Sequence, residues 1–353
     1  MRKLLVLVLV LLMFAVLAPA VASAPEFPDF TPMDVGPEGV AVDNVGNVYV
    51  SAGDEEGQTE LWKFDPAGVG TLLTVLPGPA PAGLAVDANG KHVYAAQQFV
   101  GVFKVDMDGG FALVSGTDAI AIPNSLAFDK KGNLYITETY SFDVDDGLDY
   151  YPFCDFTGVP DGPPFDGWFG RGGIWVVPKG GEAELLMRHD LLTGVCAPVP
   201  IPFPIGANGL AYRQGNLIVA NTEKALLLEI PILKDGTLGE VGIVGDLSGL
   251  IIDGFIFGPP MIDGIALDVH GDIYAAIITG NAIVRVSADG ATVDVLATDI
   301  DGLTFPASLA FGTGRGERMS VFATNLALGE FPPFLAGPGL TKIDVGQPGM
   351  PLP

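Results

Sequence analysis

A five-residue pattern recurs six times along the chain and constrains its fold more than any other feature. Each copy has a variable leading residue, then Gly or Ser, then a bulky residue, an Ala and a second bulky residue. The leading residues are separated by 44, 42, 84, 55 and 44 positions. They are Glu38, Ala82, Asn124, Asn208, Asp263 and Ala307. A repeat of this length predicts one small structural unit that is stacked several times.

The sequence after each copy reads as further short β-strands. A turn of Asp-x-x-Gly type follows four copies, as at Asp43 to Asn47, and two or three strand-like segments come next, such as 48–51 and 61–64. Units of four antiparallel strands are typical of a β-propeller. The gap of 84 positions is twice the usual spacing, but residues 139–207 contain no further copy, which favours six blades over seven.

We therefore predict an all-β, six-bladed β-propeller with four-stranded antiparallel blades. The last copy lacks a clear fourth strand, and residues 28–35 are expected to supply it and to close the ring. Closure of this kind removes an exposed sheet edge. The repeated Ala fits the same picture, because the innermost strands crowd around the axis and leave room for little more than a methyl group.

The predicted topology places several long segments on one face, here called the mouth. This face carries the start of each first strand, each loop between strands two and three, and the connectors between blades. Four unusual segments fall on it, and we expect them to roof the ring of leading residues. They are 139–172, 190–207, 246–262 and 326–338. Their apolar residues include Phe203, Ile251, Phe255, Phe257, Phe331 and Phe334, which fit a substrate less polar than a free sugar or, alternatively, loops that pack on one another.

Four of the six leading residues offer an oxygen to a cation. Glu38, Asn124, Asn208 and Asp263 each begin a predicted innermost strand, so all four side chains should converge on the axis. Two carboxylates and two side-chain carbonyls are hard donors that suit Ca²⁺. Asn and Asp are also common turn residues before a strand. That alternative does not account for Glu38, or for a variable slot that is either Ala or an oxygen donor in every copy.

The same residues carry a resemblance to a known family. The motifs around Glu38, Asn124, Asn208 and Asp263 are similar to the metal-site motifs of the regucalcin/gluconolactonase and diisopropylfluorophosphatase superfamily, with paraoxonases as more distant members, and the likeness extends over residues 36–345. The resemblance implies that the four residues bind a catalytic Ca²⁺ and that Asp263 acts as base or nucleophile in the hydrolysis of lactones or phosphoesters. Paraoxonases have a histidine where this chain has Ala82. The resemblance therefore supports the metal ligands more strongly than it supports any particular substrate.

Three further polar residues end second strands on the mouth face. Glu138, Asn221 and Asn325 are candidates for lining the mouth, and ordinary solvated loop residues are an equal alternative. No Ser-His-Asp arrangement is predicted, because none of the three histidines falls on the axis.

The N-terminus predicts export. Arg2 and Lys3 precede an apolar run and small residues that end at Ala24, as in a secretory signal peptide over residues 1–24, and residues 25–353 form the predicted propeller domain. We expect a secreted or periplasmic protein with no membrane span after signal cleavage. An oxidising compartment would allow Cys154 and Cys196, both predicted on mouth-side loops of the third blade, to form a disulfide; two separate buried thiols are the alternative.

Charge narrows the possible partners. The formal net charge is −25, and loss of the two basic residues of the signal makes the chain more negative still. Nucleic acid and anionic lipid surfaces are disfavoured as partners, whereas cations are favoured. The leading hypothesis is a secreted Ca²⁺-dependent hydrolase of a small lactone or related ester. The alternatives are a non-catalytic propeller that is stabilised by calcium and binds a ligand or protein at its roofed face, and a strictosidine-synthase-like condensing enzyme.

Overall fold

A computed structural model of the chain shows six four-stranded sheets arranged around a common axis. The described residues are 27–54, 56–78, 81–142, 151–152, 168–195, 204–252, 259–328 and 336–352. The predicted signal peptide lies outside them, and so does much of each predicted mouth segment, so these assignments stay predictions. In the part of the chain that the structure describes, no helix has the length and apolar character needed to cross a membrane.

Each four-stranded sheet is one blade, and in the first five blades the strands run from the axis to the rim in chain order. The first three blades comprise β2 Pro37–Val42, β3 Val48–Gly53, β4 Thr59–Phe64 and β5 Gly70–Leu76; then β6 Pro81–Val86, β7 His92–Gln97, β8 Gly101–Asp106 and β9 Phe111–Leu113; then β10 Pro123–Phe128, β11 Leu134–Glu138, β14 Gly173–Val177 and β15 Glu184–Arg188. The next two comprise β16 Ala207–Arg213, β17 Asn216–Asn221, β18 Leu226–Pro231 and β19 Gly242–Asp246; then β20 Ile262–Leu267, β21 Ile273–Ile277, β22 Ala282–Val286 and β23 Val293–Ala297.

The sixth blade joins the two ends of the chain. Its strands are β24 Pro306–Phe311, β25 Ser320–Asn325, β26 Gly339–Asp344 and the N-terminal β1 Phe30–Pro32. β1 pairs antiparallel with β26, with Phe30 opposite Thr341. The predicted six-bladed, all-β architecture and its N-terminal closing strand are therefore confirmed.

Short elements complete the fold. A two-stranded ribbon of β12 Tyr151–Pro152 and β13 Trp168–Phe169 lies in the predicted insertion of the third blade. The 3₁₀ helices of the described residues are Thr117–Ala119, Asp190–Leu192, Ile278–Gly280 and Asp299–Asp301.

The core lies between neighbouring blades. Each large apolar cluster combines side chains of two adjacent sheets, as where Val93 and Ala95 of the second blade pack against Tyr49 and Leu61 of the first. The innermost strand β2 is buried except at Glu38, and no residue of the other five innermost strands is fully exposed, whereas β9 on the rim has all three residues exposed. Apolar burial between the sheets is therefore the main force that holds the ring together.

The Asp-opened turns form as predicted on the face opposite the mouth. The Oδ1 atom of Asp43 accepts hydrogen bonds from the backbone N–H groups of Val45 and Asn47 at 3.0 and 2.9 Å. Gly46 has φ of 94°, a left-handed conformation that glycine adopts without steric cost. Tyr49 donates its hydroxyl to the other Asp43 oxygen at 3.1 Å, which ties the turn to the second strand.

Candidate functional site

A β-bulge sits at the leading residue of every innermost strand. In the first blade Pro37 pairs with Ala52 and Val40 with Val50, so one extra residue is accommodated beside Glu38. The other five blades show the same register shift at the same place. A bulge bends its strand and re-aims a side chain. The bulge in each repeat therefore sets the direction in which the side chain of the leading residue points.

The glycine of the repeat has a packing reason. A Cβ on Gly39 would lie 2.3 Å from the carbonyl oxygen of Ala82, the leading residue of the next blade, and a Cβ on Gly209 would lie 2.5 Å from the carbonyl oxygen of Asp263. Neighbouring inner strands approach closely here, and a side chain would hold them apart. The close approach brings the leading residues of successive blades side by side.

Three hydroxyls in second strands connect the leading residues of neighbouring blades. Ser51 donates to the carbonyl oxygen of Ala82 at 3.0 Å, Thr137 to that of Asn208 at 2.7 Å, and Thr324 to that of Glu38 at 2.7 Å. Each hydroxyl also accepts a hydrogen bond from the backbone N–H that follows its own blade's leading residue, at 2.9–3.0 Å. Each hydroxyl therefore links the backbones of two neighbouring innermost strands.

The two carboxylates of the ring interact with each other across it. Burial raises the pKa of Asp263 to about 7, although a hydrogen bond from the side chain of Asn208 opposes that rise. Glu38 is partly exposed. Even so, the protein around its carboxylate raises the pKa of Glu38 well above the usual value, first through burial and then through the negative charge of Asp263. Glu38, Asn208 and Asp263 are thus brought together.

The amide of Asn124 belongs to the same structure. Asn124, Asn208 and Asp263 are 7%, 5% and 7% exposed. Asn124 donates its Nδ2 to Thr139 Oγ1 at 3.1 Å, and Thr139 donates to the carbonyl oxygen of Ala207, directly before Asn208. With its nitrogen engaged in this way, Asn124 has its side-chain oxygen available as an acceptor or ligand.

The donor set fits a hard divalent cation. Two desolvated carboxylates that repel each other gain most from a positive charge placed between them, and amide oxygens add neutral ligands of the type that Ca²⁺ accepts. No group of three or more His, Cys, Asp or Glu side chains that could hold a metal occurs within the described ranges. A cation in this ring would therefore depend on the amides as well as on the carboxylates.

Glu138 is placed inside the third blade. It is fully buried, its Oε2 lies 2.9 Å from Arg188 and accepts from Trp175 Nε1 at 2.8 Å, and its Oε1 accepts from the backbone N–H of Ala121 at 2.9 Å. Burial raises the pKa of Glu138, while the charge of Arg188 opposes the rise. These contacts give the side chain a structural role, which differs from both a mouth-lining and a solvated one.

Asn221 and Asn325 hold the connectors that enter their blades. Asn221 donates to the carbonyl oxygens of Leu191 and Thr193 at 2.8 and 2.9 Å. Asn325 donates to the carbonyl oxygen of Gly302 at 2.8 Å and accepts from the backbone N–H of Thr304 at 3.1 Å. Both side chains are buried. The position at the end of the second strand is thus used to fasten connectors.

Some predicted residues lie outside the described part of the chain. Cys154 and Cys196 are among them, so their pairing stays a prediction, as does the arrangement of the phenylalanines expected in the roof. Ile251, the one roof residue that the structure describes, is 82% exposed.

Several solved structures share this fold. A luciferin-regenerating enzyme matches with a TM-score of 0.63 at 15% identity, over 94% of this chain and 96% of that chain. A regucalcin from Agrobacterium tumefaciens, titled a calcium-binding protein, gives a TM-score of 0.62 at 17% identity, over 93% and 97%. A gluconolactonase from Xanthomonas campestris gives 0.57 at 18% identity, over 94% and 93%. No family model and no curated protein sequence matches the chain.

A regucalcin and a gluconolactonase are among these neighbours, so the resemblance inferred from the repeat motifs is borne out at the level of the fold. At these identities the likeness is one of fold. What this chain binds or converts has to be argued from its own residues.

Proposed function

We propose that this chain is a secreted, calcium-dependent hydrolase that opens lactones or related esters. The observation that supports it is the meeting of Glu38, Asn208 and Asp263, with two carboxylates desolvated close to each other. Two like charges that lie close together, one of them buried, are costly without a cation. Apolar leading residues, such as Ala82 and Ala307, would give a more stable propeller axis if stability were the only requirement.

Glu38, Asn124, Asn208 and Asp263 are the residues that would hold the cation. Bound Ca²⁺ would supply a Lewis acid for a carbonyl oxygen. Asp263 either takes a proton from water or attacks the carbonyl carbon directly, and both routes fit its position. Bound Ca²⁺ would lower the pKa of Asp263 from its metal-free value of about 7, so the carboxylate would be ionised and able to act in either role at neutral pH. The hydrogen bond from Asn208 orients the Asp263 carboxylate for this task.

The test is a lactonase and arylesterase screen in calcium and in chelator, with Asp263→Asn as the key variant. Turnover should require calcium, and the variant should lose roughly a hundredfold to ten-thousandfold in rate. Asp301→Asn is a matched control, because Asp301 stands in the same Ile-Asp-Gly sequence but is exposed and caps a 3₁₀ helix. Full activity in Asp263→Asn would refute the assignment.

Thermal unfolding separates the enzyme from a non-catalytic propeller. Calcium at 100 times its Kd should raise the free energy of unfolding by about 2.7 kcal/mol. If chelation lowers stability and no ester is hydrolysed under any condition, the protein is a calcium-stabilised binding module instead. If calcium changes neither stability nor activity, both hypotheses fail.

A further inference from the structure

The loop between strands two and three of the second blade exposes a phenylalanine in a backbone conformation that suits glycine. The turn is closed by a hydrogen bond from Val100 N–H to the Gln97 carbonyl oxygen at 3.1 Å, and its third residue is Phe99 with φ of 66°. Type II turns favour Gly or Asn at that position, because a larger residue with a Cβ is disfavoured there. A residue that is 55% exposed contributes little packing in return. The ring of Phe99 is therefore held at the surface on a backbone that disfavours its side chain.

Phe99 does not stand alone. Its ring lies nearly parallel to that of Phe142, at 18° with centroids 6.4 Å apart, and Phe142 is 40% exposed. Phe142 in turn meets the edge of the Tyr140 ring at 5.6 Å and 76°. Tyr140 is buried against Ile122. Two partly exposed rings are thus held on a fixed base, and together they form an apolar surface that we call the aromatic platform.

The aromatic platform is connected to the ring of leading residues. Phe99 donates its backbone N–H to the carbonyl oxygen of Ala121 at 3.0 Å, three residues before Asn124. Tyr140 directly follows Thr139, whose hydroxyl accepts from the Asn124 amide at 3.1 Å. Phe99 and Phe142 both belong to segments that follow second strands, so both lie on the mouth face. The platform and the ring of leading residues therefore share one face and are joined through the segments that carry Ala121 and Thr139.

The leading residues are distributed unevenly around the axis. Asn124, Asn208 and Asp263 occupy three consecutive blades, whereas the leading residue of the second blade is Ala82. Polar parts of a substrate find partners over the donor blades. An apolar part avoids the loss of hydrogen bonds on the side of Ala82 or of Ala307, and the aromatic platform lies beside the blade of Ala82.

We propose that the aromatic platform binds an aromatic ring of the substrate, so that the chain prefers aryl-substituted lactones or aryl esters over polyhydroxylated sugar lactones. The inference rests on the proposed hydrolase function and narrows its substrate class. Stacked and edge-on aromatic contacts favour such a ring. Sugar hydroxyls would need hydrogen-bond partners that Phe99 and Phe142 lack.

The experiment compares γ-phenyl-γ-butyrolactone with γ-butyrolactone as the ratio of their kcat/KM values. The wild-type protein should favour the phenyl compound by about tenfold, and Phe99→Gly should reduce that ratio to near one. Because glycine suits the left-handed position, the same variant should have a Tm roughly 2–4 °C higher. A purely structural Phe99 would instead give a lower Tm. Phe111→Ala, an exposed phenylalanine on the rim strand of the same blade, is the matched control and should keep the wild-type ratio.

A binding arm separates this inference from the proposed function. Calorimetry with 3-phenylcyclopentanone and cyclopentanone, which cannot be hydrolysed, gives the aryl preference without turnover. If no lactone is opened but this preference is present and disappears in Phe99→Gly, the hydrolase proposal fails and the aromatic platform stands. If the wild-type protein shows no aryl preference, or Phe99→Gly keeps it, the platform proposal is overturned.

Discussion

The metal-free protein should lose stability as pH rises, and the part of that loss that comes from Asp263 should disappear in Asp263→Asn. Folding raises the pKa of Asp263 from 3.8 to about 7, because burial disfavours the charged carboxylate. The folded state therefore holds this proton more tightly than the unfolded state does. The stabilisation is fully present below about pH 4 and is lost as pH rises through about 7.

The shift sets the size of the effect. About three pKa units at 1.36 kcal/mol each correspond to a loss of about 4 kcal/mol between pH 4 and pH 8. The amide introduced by Asp263→Asn is neutral throughout and resembles the protonated acid, so the variant should escape this part of the loss. Glu38, whose pKa is also raised, keeps its own share of the pH dependence in the variant, reduced by removal of the neighbouring charge.

Urea unfolding in chelator at pH 4, 5.5 and 8 measures the difference. Wild type and Asp263→Asn should be close in stability at pH 4, and the variant should be the more stable at pH 8. Added calcium should reverse the order at pH 8, because the wild-type carboxylate then gains a counter-charge. Asp301→Asn, at an exposed residue, should follow the wild type. Parallel pH profiles for wild type and Asp263→Asn would show that the carboxylate is not desolvated, and the argument for a cation would fall with it.

Two further predictions concern the frame around the ring. Arg188→Met should lower the free energy of unfolding by about 3–5 kcal/mol, because it leaves the buried carboxylate of Glu138 without its cation. Arg188→Met combined with Glu138→Leu should recover much of that loss. Urea unfolding measures both variants, and a single variant as stable as wild type would contradict the buried ion pair. Gly209→Ala should cost about 1–3 kcal/mol, because its Cβ would lie 2.5 Å from a carbonyl oxygen of the next blade. Gly249→Ala, with open space around it, should change stability by no more than about 0.5 kcal/mol, and equal effects at the two glycines would contradict the close approach of inner strands.

Much of the fold could be predicted from the sequence because the repeat marks every blade. The six leading residues gave the number of blades, and the missing fourth strand after Ile343 indicated that β1 closes the ring. The bulge at each leading residue could not be predicted from the sequence, because it depends on how two strands pair and not on either strand alone. The close approach that requires Gly39 is likewise visible only between blades.

The site could be predicted in part for the same reason. Convergence of Glu38 and Asp263 follows from equivalent places in the repeat. The role of Glu138 does not, because its partner Arg188 lies on the fourth strand, 50 residues further along the chain, after a long insertion. Phe99 was missed because a lone phenylalanine beside a turn carries no pattern. Its φ of 66° is the signal, and only coordinates provide it.

The hydrogen bond from Thr324 to the Glu38 carbonyl oxygen spans 286 positions of the chain. A polypeptide emerging from the ribosome has Glu38 almost from the start, but it cannot fix this residue's backbone until the last blade has been made. If the ring binds a cation as proposed, that binding would come late, because a chain cut short before residue 324 would have all four donor residues without the hydrogen bond that fixes Glu38. Calcium uptake would thus report that synthesis and folding are complete.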